Sequence, residues 1–461
     1  MKDLTEGPIS RHLLDMAAPM AIGMLFQTLY FLVDLYFVGR LGNAAIAGVG
    51  AAGTITFLVM AATQVLAVGS VALISQAVGR KDRPDANSLF NQTFVLSVAC
   101  ALASLAAGYA CAGAYARAMT ADAAAAAASL EYLQWYLPTL GLQFVVAALG
   151  SALRGTGIVK PAIAAQMFTV VLNVLLAPVL IGGWGTGHPL GVAGAGLASS
   201  IAVAIGTLLL VGYFARLEHY VQFAPRDWAP RLGEWRRICA VGLPAGGEFL
   251  VLFMISAVIY WAIRPFGAHS QAGFGVGMRV MQAIFLPAMA VGFSVAPIVG
   301  QNFGAGHADR VREAFRTGAL FGAAAMLVAM VLCLWNPAVL VAPFAPDPAA
   351  TAVGVQYLHY VSWNFLATGF VLTCSGCLQG LGKTWPALWS SASRVLTFTL
   401  PVVWLSRRAG FQLTDLWITS ITSVTLQALL SAWLVRRQLR LSLAALRVPP
   451  QAVAGGVAAT P

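Results

Sequence analysis

Charge is scarce in this chain. Only 9% of its 461 residues are Asp, Glu, Lys or Arg, against about 25% in soluble globular domains. With 59% hydrophobic residues and a mean hydropathy of +0.80, an ordinary soluble protein is excluded, and the class left is a polytopic membrane protein. Acids are the rarer sign, 16 against 27 Lys and Arg, giving a net charge of +11. A basic balance points to nucleic acid only until the positions are read. Here Lys and Arg sit in short loops between apolar spans, so they report topology and no nucleic-acid surface is expected.

Cysteine and histidine are also sparse, at six each. Cys100, Cys111, Cys239, Cys333, Cys374 and Cys377 fall in or beside apolar segments and give no disulfide framework. Cys374 and Cys377 form a CxxC, but Leu378 follows where haem attachment needs His, so a packing role is expected. The histidines (His12, His188, His219, His269, His307, His359) show no HExxH or paired spacing, which argues against a metalloenzyme and against a bound metal or cofactor. The glycine-containing loops RGTGIVKP (Arg154 to Pro161) and QGLGKTWP (Gln379 to Pro386) do not fit GxxxxGK[ST] and follow no strand, which excludes a phosphate cradle. The N-terminal MKDLTEGPIS carries acids ahead of a hydrophobic run too long for a signal peptide, so the first span is expected to be retained.

What the chain has is long apolar runs. Hydropathy, broken at Gly, Pro and charge, predicts an all-α protein of about 12 spans, near 13–38, 46–78, 89–116, 132–153, 162–182, 191–215, 238–263, 273–302, 316–341, 352–378, 387–406 and 415–435. If the N-terminus is inside, about 20 Lys and Arg lie on its side and about 5 on the other, which places both termini in the cytoplasm. Adding 225 to a residue number carries Pro19 to Pro244, Gly42 to Gly267, Gln76 to Gln301, Gly79 to Gly304, Gly155 to Gly380 and Pro161 to Pro386. Such a register predicts two six-span lobes, 1–215 and 238–435, related by an axis along the membrane normal with a cavity between them. The basic loop 216–237 links them, and 436–461 forms a cytoplasmic tail.

One stretch concentrates polarity inside a span. In QTLYFLVDLYFVGRLG (Gln27 to Gly42), Gln27, Tyr30 and Asp34 recur at i, i+3, i+7 on one helical face. A carboxylate at that depth costs a few kcal/mol, so Asp34 is expected to face a cavity or bundle interior and to have a partner or a proton. The fifth span carries Gln166, Thr169 and Asn173 with the same spacing, a second stripe able to meet the first. The sixth opens GVAGAGLASS (Gly191 to Ser200), small residues suited to close helix contact; Ser199 is expected to bond its own helix backbone, with a cavity role as the alternative. Glu248, four residues after Pro244, is the other acid clearly within a span. Arg279, which shares a face with Gln282, and Arg394 either pair with it or snorkel to headgroups. Phe26, Tyr30, Met60, Met254 and Trp261 are candidate cavity residues, with helix packing as the more common use.

Several motifs then resemble one family. VDLYFVGRLG, ALRGTGIVKPAI, LNVLLAPVLIGG, GVAGAGLASS, APIVGQNFGAGHADR and LQGLGKTWPAL, in that order along nearly the whole chain, resemble the multidrug and toxic compound extrusion (MATE) family, most closely its bacterial DinF-like branch. The resemblance implies two six-helix lobes around a V-shaped cavity in a bacterial inner membrane, with the lipid bilayer and a small-molecule organic substrate as partners, the substrate exported in exchange for H⁺ or Na⁺. A monomer is expected. Asp34 matches the family's first-helix aspartate and Asn173 a fifth-helix asparagine beside it. Where relatives often have NxxLDP, this chain has NVLLAP with Ala177. Loss of that second carboxylate weakens a sodium site, because a dehydrated hard cation wants several oxygens. The expectation is therefore an H⁺-coupled antiporter of organic cations or amphipathic drugs, with Na⁺ coupling or a lipid-linked precursor flippase as the alternatives.

Overall fold

The computed structural model describes residues 1–119, 122–185, 187–344, 347–408 and 410–446, apart from the side chains of residues 31, 32, 34, 35 and 43. Among these residues the chain is helical and contains no strand. The first lobe is built from α1 (Ile9–Gly39), α2 (Asn43–Gly79), α3 (Arg83–Met119), α4 (Ala123–Gly155), α5 (Lys160–Gly182) and α6 (Gly191–Arg216). The second has α7 (Leu232–Ile263), α8 (Ala268–Gly304), α9 (Ala308–Trp335), α10 (Pro348–Gly380, interrupted by a 3-10 turn at Ser362–Asn364), α11 (Trp385–Leu405) and α12 (Leu413–Ala445). Eleven of these helices are long and apolar enough to cross a membrane. The twelfth, α11, lies where hydropathy predicts a span, but Trp385, Trp389, Arg394 and its serines and prolines dilute its apolar character.

Most helices begin before their hydrophobic windows because hydropathy registers only their apolar middles, while α9 stops at Trp335, short of the predicted 341. The 225-residue register holds at the level of single backbone positions. Helix α2 begins at 43 and α8 at 268; α4 spans 123–155 and α10 spans 348–380. Asp122 and Asp347 cap those last two helices, each accepting from two backbone amides of the first turn. The turn after α2 uses Lys81 at φ 59°, and the equivalent turn after α8 uses Gly306 at φ 77°.

Within the lobes, small residues let backbones touch, as membrane helices need when lipid removes the hydrophobic drive for association. A methyl added to Gly194 would meet the Leu180 carbonyl, and one added to Gly196 the Tyr132 carbonyl, so α6 lies directly on α5 and α4. Cys374 and Cys377 are buried in the core between α1, α8 and α10, and all six cysteines are unpaired.

The lobes meet on the side carrying the N-terminus. A Cβ on Gly79 would lie 2.0 Å from the Gln301 carbonyl oxygen, and one on Gly304 would lie 2.1 Å from that of Gln76, so α2 and α8 cross in backbone contact there. The N-terminal segment fills the same seam. The Lys2 amide donates to Thr156 O in the first lobe at 2.9 Å. The Leu4 amide donates to Gln301 Oε1 at 2.9 Å, and Leu4 O accepts from Asn302 Nδ2 at 3.1 Å, both in the second lobe. Leu4 is fully buried. The connection after α6 is pinned to α3, where Asn91 and Gln92 bond the backbone of Gln222, Ala224, Asp227, Ala229 and Arg231. Irregular chain ends at Leu232, where α7 starts.

Candidate functional site

The two polar stripes of α1 and α5 come together. Gln166 Nε2 donates to Gln27 Oε1 at 2.9 Å. One turn along α1, the Tyr30 hydroxyl and Ser199 Oγ lie 2.7 Å apart, and Asn173 Nδ2 donates to Ser199 Oγ at 3.3 Å. Ser199 therefore does not take the local backbone bond expected of it. The small residues at the start of α6 bring its hydroxyl, fully buried, within reach of α1 and α5. Asn173 is likewise fully buried, and its Oδ1 has no hydrogen-bond partner among the described residues. Thr169 bonds the Ala165 carbonyl, a turn of its own helix away. Asp34 lies in α1 one turn beyond Tyr30, and its side chain is outside the described residues.

These groups border two adjoining cavities. The larger, about 320 Å³, lies within the first lobe and is lined by polar residues that include Tyr30, Thr56, Thr63, Thr139, Gln143 and Thr169. The smaller, about 200 Å³, reaches the seam, where Phe293 and Ala296 of α8 and Gln379 of α10 close it. Gln27, Gln64, Arg154 and Gln166 line both, and so mark their junction. Sequence reading missed Gln64, Thr139, Gln143 and Arg154. A usable signal was present on α4, where 139, 143, 147, 150 and 154 recur at helical spacing on one face.

Glu248 and Arg279 stand apart from these cavities. Glu248 is partly buried in the second lobe and accepts from Ser375 Oγ at 3.0 Å, while Gln379 Nε2 donates to Ser375 Oγ at 3.1 Å. A three-residue chain thus links the wall of the smaller cavity to the carboxylate. Pairing with an arginine does not occur: Arg279 is exposed on α8, and Arg394 keeps Nε buried without an acceptor among the described residues. Arg279 lies two heptads before the cavity-lining Phe293 and so shares its face of α8. Of the aromatic and Met candidates, Tyr30 and Met60 line the larger cavity; Met254 and Trp261 are exposed on α7.

Two repeated helical lobes with a polar chamber reaching their seam are the architecture of a membrane transporter. The chain belongs to the MatE family, whose profile matches residues 19–179 and again 244–405, two matches that begin one repeat length apart. It is 28% identical over 84% of its length, and 87% of the relative's, to a probable multidrug resistance protein of Bacillus subtilis (strain 168). It is 22% identical over 87% of its length, and 90% of the relative's, to an FAD transporter of Shewanella oneidensis. The fold is shared with a solved outward-facing multidrug resistance MATE transporter of the MOP superfamily at a TM-score of 0.90 and 20% identity, covering 96% of this chain and 99% of that one.

Proposed function

We propose that this chain is a cation-coupled antiporter of a bacterial inner membrane, exporting organic cations or other amphipathic compounds by alternating access, with H⁺ as the driving ion and Asp34 as its carrier. The observation that carries the reading is the Tyr30–Ser199–Asn173 cluster one turn from Asp34, in which Asn173 Oδ1 is a buried acceptor with no donor among the described residues. A protonated carboxyl supplies a donor and an ionised one does not, so such a cluster distinguishes the two states of an acid. Ala177 in place of a second carboxylate on α5 favours a proton over sodium. The relatives' names as multidrug resistance proteins support the export of drug-like cargo.

The cycle starts from the arrangement seen here, with the lobes locked together at the N-terminal side. The excess of Lys and Arg on that side supports a cytoplasmic location for both termini, and on this reading the described state is outward-facing. Proton entry at Asp34 rearranges its hydrogen-bond partners and lowers affinity for cargo, which leaves outward. Separation of α2 from α8 at Gly79 and Gly304 then opens the inner side. Glu248, relayed to the cavity through Ser375 and Gln379, is the second acid available to the cycle. The transporter works as a monomer, since each chain contains both lobes and the adjoining cavities that reach their seam.

Purified protein in proteoliposomes, loaded with a fluorescent organic cation, tests this. Transport should follow an imposed pH gradient at zero sodium. Transport driven by a sodium gradient at clamped pH, and absent under the pH gradient, would reassign the ion.

A further inference from the structure

Arg154 breaks the repeat. Its equivalent in the second lobe is Gln379, which bonds Ser375; the equivalent of Ser375 in the first lobe is Gly150, which has no side chain to offer. Arg154 stands in the last turn of α4, where a cation ordinarily turns toward the free carbonyls of the helix end. Instead its guanidinium folds back, with Nη1 3.7 Å from where a Cβ on Gly150 would lie, a full turn toward the middle of the helix. It lines both cavities at their junction. Among the described residues it has no ion pair or hydrogen bond, and no carboxylate lines either cavity. Gln64 and Gln143, which line the larger cavity beside it, make no side-chain hydrogen bond within the described residues either. A partly buried guanidinium without a counter-charge is costly in a membrane interior, and five forked donors with two free amides nearby match an oxyanion.

We propose that Arg154, with Gln64 and Gln143, anchors a carboxylate or phosphate group of the transported molecule, so that a zwitterionic or anionic amphiphile is preferred as cargo over a simple organic cation. This rests on the export reading only for the source of the anion. Gly150 leaves the space into which the guanidinium turns, and the glutamines orient the anion's remaining oxygens.

The test compares rhodamine 110, which has a free carboxylate, with rhodamine 123, its methyl ester. Binding is measured by fluorescence anisotropy in phosphatidylcholine nanodiscs without any gradient, so the result does not depend on coupling. The wild type should bind the free acid about tenfold more tightly than the ester, the size of effect a charge-assisted hydrogen bond provides. Arg154→Gln should abolish that preference while ester binding stays within about twofold, and Arg154→Lys should restore part of it. Equal affinity of the wild type for acid and ester, or equal loss of both in Arg154→Gln, would overturn the anchor. Phosphatidylglycerol added to the nanodiscs separates the sources. Competition that displaces the acid from wild type would leave an anion site but assign it to lipid phosphate, overturning the cargo assignment. Failure of either dye to move under a pH gradient, with the binding preference intact, would count against the antiport reading and not against the anchor.

Discussion

Gln76 and Gln301, one repeat length apart, make the same bond in opposite directions across the seam. Gln76 Nε2 donates to Gly380 O at 2.9 Å, and Gln301 Nε2 donates to Gly155 O at 3.0 Å. The two acceptors are themselves repeat equivalents at the ends of α10 and α4. The lobes therefore close on the N-terminal side through a pseudosymmetric pair of amide latches, with the Gly79 and Gly304 backbones between them.

Gly79→Ala should open this closure. The added methyl would sit 2.0 Å from the Gln301 carbonyl, a separation only backbone movement can relieve. Spin labels at the repeat-related loop positions Asp82 and His307 should report one short distance in the wild type and an added longer population in the variant. An unchanged distance distribution would show that the seam does not depend on that contact.

Leu4 is the plug of the seam. Leu4→Ala should lower stability by about 2–5 kcal/mol, the usual cost of truncating a buried Leu. Removal of residues 1–8 should in addition expose Gln301 and Asn302, whose side chains the segment occupies. A membrane-impermeant thiol reagent should then reach a cysteine placed at Ser75 in a cysteine-free background, and labelling no faster than in the full chain would count against the plug.

Lys81 is the one described non-glycine residue with a positive φ, where its repeat equivalent is glycine. Lys81→Gly should stabilise the turn by about 0.5–1 kcal/mol by removing the Cβ penalty of the left-handed region. Thermal unfolding in detergent should show a small rise in Tm; Gly306→Lys should show a fall.

Asp347 caps α10 and bonds His269 at the opposite end of the molecule. The His269 hydrogen bond, foremost, and the two backbone amides hold its carboxyl below the usual 3.8. A carboxyl depressed on folding contributes stability that is complete above its unfolded pKa and disappears as pH falls through the folded value. Its contribution should be full and independent of pH near neutrality and decline below about pH 4. Asp347→Asn should flatten that acid decline; an unchanged acid limb would remove the group from the account.

Much of this architecture was legible in the chain because hydropathy and repeat spacing are one-dimensional. The 225-residue register made Gly79 and Gly304 equivalent, while the matching caps Asp122 and Asp347 emerge only in the structure. The meeting of Gln27 with Gln166, and of Asn173 with α1's neighbourhood, followed from matching polar stripes. Ser199 and Arg154 were not legible for the same physical reason. A serine in a helix and an arginine at a helix end each have a common local use, and only the approach of α6 to α1, or the space above Gly150, diverts them. Leu4 was not singled out because its burial depends on Gln301 and Asn302, nearly 300 residues away.

The central claim is that one carboxylate on α1 carries the driving ion. The most direct measurement is substrate efflux from proteoliposomes by Asp34→Asn under an imposed pH gradient, with Asp34→Glu as a control that keeps the charge. The account predicts that the asparagine variant still binds substrate or exchanges it passively, yet gains nothing from the gradient, while the glutamate variant retains part of the response. A full gradient-driven response in Asp34→Asn would contradict it.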